Sequence, residues 1–151
     1  MEQRRGAKEM ERKRIVVDAS IAVKWFIEED WSREARLIAR SYADGLIDLI
    51  APCLMPYEVL NALKYSGEFG ELELKEVAEI LEDYQITYYG LAGAVALKAV
   101  ELSMRLGLTI YDASYIALAQ NLEAILYTAD ERLLRKAKGV GEVRHVKDFK
   151  P

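Results

Sequence analysis

Four acidic residues stand in this 151-residue chain at places where an unpaired carboxylate is hard to accommodate, and together they could hold a divalent cation. Asp18 closes the apolar run Ile15-Val-Val-Asp18, and Lys24 is the only basic side chain in the ten residues that follow. Glu58 sits in Leu54-Met-Pro-Tyr-Glu58-Val-Leu-Asn61-Ala-Leu, whose apolar neighbours predict a largely buried helix. An unpaired acid in such a place costs several kcal/mol. Asp112 opens Tyr111-Asp112-Ala-Ser-Tyr-Ile-Ala, and Asp130 follows the strand-like run Ala124-Ile-Leu-Tyr-Thr128. Oxygen donors with neither His nor Cys among them select Mg²⁺ or Mn²⁺ over zinc.

Each acid has an ordinary reading too. Asp112 at a helix start is a good N-cap or first-turn residue, Thr128 and Glu131 have capping-box spacing around Asp130, and Ser20 reads as the N-cap of the helix after Asp18. Capping explains Asp112 and Asp130 but leaves Asp18 and Glu58 without partners. Three polar residues accompany the set: Ser20 two positions after Asp18, Asn61 on the same helical face as Glu58, and Thr128 two positions before Asp130. The single His145 reads as structural in a last strand, and the single Cys53 as a small core residue. Histidine-based and Ser-His-Asp mechanisms therefore have no foothold. Neither a G-x-G-x-x-G nor a P-loop pattern occurs, which removes nucleotide-cradling readings.

These residues must be positioned by alternating short apolar runs and amphipathic stretches, the pattern of an α/β domain with a parallel sheet covered on both faces. Strands are expected at 15–18, 47–51, 86–88, 124–128 and 142–146. Helices are expected at 20–27, 32–43, 55–65, 72–83, 91–106, 112–121 and 130–138, the fifth ending at Gly107 and bracing the sheet with a broad apolar face. In such a sheet right-handed crossovers deliver active groups to the carboxyl ends of the strands, where Asp18 and Asp130 fall.

The length is that of one domain, and no apolar run approaches the roughly 20 residues of a membrane span. The polar N-terminus lacks a secretory h-region and one cysteine makes no internal disulfide, so a cytoplasmic protein is expected, with Met10 as an alternative start. Net charge is −4, unevenly spread: residues 1–14 hold six Lys/Arg against three Asp/Glu and residues 131–151 hold seven against three, which leaves −11 for the middle. Residues 1–13 are expected to form a flexible basic arm before a domain over 14–151. Basic ends can steer a polyanion towards an acidic site. Arg132 and Arg135, beside Asp130, are the expected phosphate contacts, with Arg4, Arg5, Lys8, Arg12 and Lys13 adding salt-sensitive attraction.

The ordered set Val17-Asp18-Ala-Ser20, Glu58-Val-Leu-Asn61-Ala-Leu, Tyr111-Asp112-Ala-Ser-Tyr-Ile-Ala and Thr128-Ala-Asp130 resembles the PIN domain family, and most closely its small VapC-type toxins. The resemblance runs from about Arg14 to Phe149. It implies a three-layer α/β/α sandwich and a Mg²⁺- or Mn²⁺-dependent endoribonuclease of a VapBC-type toxin–antitoxin pair. Asp18, Glu58, Asp112 and Asp130 would be its catalytic and metal-binding quartet, supported by Ser20, Asn61 and Thr128. RNA is then the substrate, an antitoxin and a second copy of the chain are the partners, and an antitoxin Arg would enter among Asp18, Glu58 and Asp112. Its apolar contact is expected on the helices holding Trp25, Phe26 and Trp31. A housekeeping RNA-processing nuclease of the same family is an alternative. A haloacid-dehalogenase-like phosphatase is a more distant one, because Ser20 stands where that chemistry wants a second Asp.

Overall fold

The computed structural model describes residues 12–151. Five strands run parallel in the order β3-β2-β1-β4-β5: β1 Lys13–Val17, β2 Ile47–Pro52, β3 Thr87–Tyr89, β4 Ile125–Thr128 and β5 Val143–His145. The chain fills one side of the central strand with β2 and β3, then returns to fill the other with β4 and β5. The crevice between the carboxyl ends of β1 and β4 is consequently the topological switch point, the place where open α/β sheets bind ligands. Ile15, Val16 and Val17 are wholly buried, as an apolar run covered on both faces must be.

Seven α-helices connect the strands among the described residues: α1 Ala19–Val23, α2 Ser32–Ala43, α3 Met55–Ser66, α4 Glu71–Asp83, α5 Gly93–Leu106, α6 Ile110–Asn121 and α7 Glu131–Lys136. A 3₁₀ turn, Val146–Asp148, follows β5. α6 is buried over seven consecutive residues, 113–119, because it is held between β1, β2 and β4 on one side and α5 on the other. A helix enclosed in that way is apolar all round. α2 lies against β2, and α7 against β4 and β5, which completes the α/β/α layering. No helix among the described residues is long and apolar enough to cross a membrane.

Several expectations need correction. α5 braces α6 rather than the sheet: of its apolar residues only Ala99 and Leu102 are buried, while Leu97 is 76% and Met104 82% exposed. Its end is as expected, since Gly107 takes φ +66°, the left-handed cap that glycine adopts most cheaply. α3 buries one stripe, Met55, Val59 and Leu63, and leaves Tyr57 and Tyr65 in solvent, so the helix carrying Glu58 is amphipathic and not largely buried. Cys53 is exposed beyond the end of β2, its N–H donating to the Tyr89 carbonyl at 2.9 Å, and it is no core residue. Trp25 is tied into the fold, its indole N–H donating to the Ala35 carbonyl at 2.9 Å and its ring lying 5.1 Å from that of Tyr84. Trp25 is thus partly buried against the core. His145 is structural as expected: it is buried, its Nδ1 accepts the Lys147 N–H at 3.0 Å, and Trp31 meets its ring edge-on at 5.3 Å.

At the amino end, β1 begins at Lys13, one residue inside the stretch assigned to an arm, and Arg12 pairs with Asp48 at 3.5 Å. Arg4, Arg5 and Lys8 lie outside the described residues.

Two substitutions on one helix separate the inner face of α5 from its outer face. Leu102→Ala should cost about 2–5 kcal/mol by chemical denaturation. Leu97→Ala, measured at a protein concentration low enough to keep the chain monomeric, should stay within about 0.5 kcal/mol of the parent. A large loss at Leu97 would show that the monomer covers that face.

Candidate active site

Asp18 follows the last residue of β1, and the register that pairs Val17 with Tyr127 places it beside Thr128 at the end of β4. Both hydroxyls of the expected set converge on its carboxylate. Ser20 Oγ donates to Oδ1 and Thr128 Oγ1 donates to Oδ2, each at 2.5 Å, while the Ile21 N–H reaches Oδ1 at 3.3 Å. The same two hydroxyls also accept, Ser20 from the Ala129 N–H and Thr128 from the Asp130 N–H, both at 3.0 Å. These bonds lock the loop after β4 onto the start of α1.

Asp18 is 6% exposed, and burial pushes its carboxyl up to about 6 against the lowering effect of the Ser20, Thr128 and Ile21 hydrogen bonds; the charge of Asp130 adds to the rise. Asp112 is also raised, by burial first and then by the charge of Asp130, with Arg132 opposing. Burial and the charge of Asp112 raise Glu58, and a hydrogen bond from Tyr115 opposes them. A chain of like-charge repulsion therefore links Asp18, Asp130, Asp112 and Glu58, which brings residues 112 positions apart in the chain into one electrostatic unit.

Two capping assignments change, those of α1 and α7. Asp18 itself is the N-cap of α1, in place of Ser20. Thr109 caps α6 by accepting the Asp112 N–H at 3.0 Å, so Asp112 lies in the first turn, the second of its two ordinary readings. Asp130 caps α7 by accepting the Leu133 N–H at 3.1 Å, and there is no Thr128–Glu131 capping box because the Thr128 hydroxyl is turned to Asp18. Asn61 is exposed and lines a groove between α3 and α4 with Leu60, Lys64, Phe69 and Leu74; it does not join the acids. Tyr115, unmarked in the sequence reading, donates to Glu58 Oε1 at 2.7 Å. Its position three residues after Asp112 in one helix was the available signal.

Cations near the set are few. Arg132 Nη2 stands 3.2 Å from Asp112 Oδ2. Lys24, the nearest base to Asp18 in sequence, is spent on Glu29 at 2.9 Å. Among the described residues no Lys or Arg pairs with Asp18, Glu58 or Asp130. As arranged, no three His, Cys, Asp or Glu side chains among the described residues stand close enough to enclose a metal ion. The donor chemistry is nonetheless that of a hard cation: oxygen ligands only, mutually repelling and with one buried acid lacking a counter-ion.

Fold and site together define an α/β domain with an acidic centre at its switch point. Residues 15–139 match the family model for the PIN domain, and the chain belongs to that family. A Pyrobaculum aerophilum protein named Ribonuclease VapC3 is 33% identical over 128 residues, covering 82% of this chain and 94% of that one. Among solved structures, Mycobacterium tuberculosis VapC20, described as a Sarcin-Ricin loop cleaving toxin, aligns with TM-score 0.65 and 18% identity over 86% of this chain and 98% of that one. A toxin–antitoxin complex from Klebsiella pneumoniae aligns with TM-score 0.63 and 17% identity over 85% and 94%. At those identities the two structures attest the fold.

The raised Asp18 pKa has a stability consequence. Because the folded value of about 6 exceeds the unfolded 3.8, ionised Asp18 is the destabilised form: stability is fullest below the unfolded value and is lost as pH rises through the folded one. The difference amounts to about 3 kcal/mol above pH 7. In EDTA, Asp18→Asn, which keeps a good N-cap, should therefore denature no earlier than wild type at pH 7.5, with the gap closing towards pH 4. A variant markedly less stable at pH 7.5 would contradict the burial account.

Proposed function

We propose that this protein is a metal-dependent endoribonuclease, the toxin of a VapBC-type pair, acting in the cytoplasm. The observation that carries the reading is the Asp18 carboxylate, buried without a cationic partner and electrostatically joined to Asp130, Asp112 and Glu58. The ribonuclease name of a relative 33% identical over most of both chains supports the same conclusion.

Asp18, Glu58, Asp112 and Asp130 would hold Mg²⁺ or Mn²⁺, and Ser20 and Thr128 would orient Asp18 by the bonds they already make. When bound, such an ion lowers the pKa of a water and offsets charge on the phosphate undergoing attack. The chain's own part is geometric. Two hydroxyls aim the Asp18 oxygens, the caps of α6 and α7 fix Asp112 and Asp130, and Arg132 supplies a positive group at the rim for an RNA phosphate. Arg135 is exposed one turn further on and extends that basic rim.

The same acids would accept a guanidinium from an antitoxin, since Arg132 already shows one of them doing so. A second copy of the chain would cover the outer face of α5, where Leu97, Val100 and Met104 form an exposed apolar stripe with coiled-coil-like spacing.

Cleavage of single-stranded RNA should require Mg²⁺ or Mn²⁺ and stop in EDTA. Asp18→Asn and Asp112→Asn should each lower it by about 100-fold or more, since even residues behind the ligands of a metal cost 10–100-fold. Activity should fall below about pH 6, where protons compete with the cation for Asp18. Full activity in EDTA would sink the reading. A gene neighbour that is co-purified and abolishes cleavage would assign the toxin role, while cleavage confined to a stable RNA precursor would assign housekeeping.

A further inference from the structure

The segment Asp112-Ala-Ser-Tyr115 places a phenol one helical turn beyond an acid, on the same face of α6. Tyr115 lies within the wholly buried stretch of that helix and is 2% exposed, so its ring cannot turn to solvent. A buried O–H requires an acceptor, and any backbone carbonyl nearby would satisfy it. Tyr115 instead gives its hydrogen to a carboxylate oxygen, Glu58 Oε1, at 2.7 Å and 57 positions away on α3. The charge of Asp18, at the N-cap of α1, is felt at the same hydroxyl. One hydroxyl thus joins α6, which carries Asp112, to α3, which carries Glu58.

We propose that Tyr115 is a positioning residue: its hydroxyl fixes the Glu58 carboxylate for divalent-cation binding with the other acids. The inference rests on the metal-dependent reading above. A glutamate has three side-chain torsions to immobilise, and a half-buried one beside Asp112 is pushed away by charge as well. The charge-assisted bond from Tyr115 opposes both tendencies before any cation arrives. Hydrogen bonds of this kind behind a metal's ligands orient them, and their loss weakens binding about 10–100-fold.

The test is Mn²⁺ affinity, read from the electron paramagnetic resonance of free Mn²⁺, for wild type, Tyr115→Phe, Glu58→Gln and the double variant. Tyr115→Phe should weaken binding about 10–100-fold, with an unchanged circular dichroism spectrum. In the Glu58→Gln background the same change should alter affinity by less than about twofold, because its route of action is gone. If wild type takes up no Mn²⁺, the metal-dependent reading falls and the inference with it. If wild type binds but Tyr115→Phe binds equally well, only the positioning role is overturned. An equal loss in both backgrounds would assign Tyr115 a structural part, overturning the proposal while leaving the metal site standing. Should Tyr115→Phe fail to fold, wild type labelled at tyrosine ¹³Cζ decides: the Tyr115 resonance should move on Mg²⁺ addition, and a stationary resonance overturns the proposal.

Discussion

The burial of the Asp18 carboxylate at the junction of β1 and β4 is the constraint on which the rest of the site depends. An acid removed from water and denied a Lys or Arg must be stabilised by hydrogen bonds or by a cation. Ser20 and Thr128 supply the first, one from the first turn of α1 and one from the end of β4. Because both hydroxyls also accept backbone N–H groups after β4, the bonds that orient the acid are the bonds that join α1 to the loop after β4. Asp130 is held at the mouth of the crevice as a consequence, capping α7.

α6 extends this arrangement to the other two acids. Enclosed between the sheet and α5, it presents Asp112 at its amino end and reaches out of its buried stretch through the Tyr115 hydroxyl. Asp112 emerges in its first turn, where the helix dipole favours a negative charge, and Tyr115 one turn later contacts Glu58 on α3. The acids therefore reach one region from four separate elements. The repulsion among them is the physical counterpart of a missing positive charge, which Arg132 meets only at Asp112.

Much of the fold was legible because β1, β2 and β4 are largely apolar runs bounded by polar turns, and each of the five strands was placed to within one or two residues. α2 was bounded correctly, and α3 and α4 to within one residue, because amphipathic periodicity is local information. The N-caps of α1 and α7 were misplaced because a cap is set by which residue turns helical and which hydroxyl is engaged elsewhere. Thr128 could not cap α7 once its hydroxyl was committed to Asp18, a contact 110 residues long in sequence. The role of α5 was misread for a related reason: periodicity reveals an apolar face but not the layer it meets. Asn61 shared a helical face with Glu58 on a helical wheel yet lies in solvent, since α3 is less buried than its composition implied. The spacing of the four acids carried their order. It could not carry the Tyr115–Glu58 contact, which depends on how α3 and α6 come together.

The central claim is that these acids form one cation site. Anomalous diffraction at the manganese edge, from crystals of the wild-type protein grown with Mn²⁺, tests it most directly. The account predicts anomalous density at the switch point, in contact with the Asp18 carboxylate and with at least one oxygen from Glu58, Asp112 or Asp130. Full occupancy elsewhere, with Asp18 still held only by Ser20, Thr128 and Ile21, would contradict it.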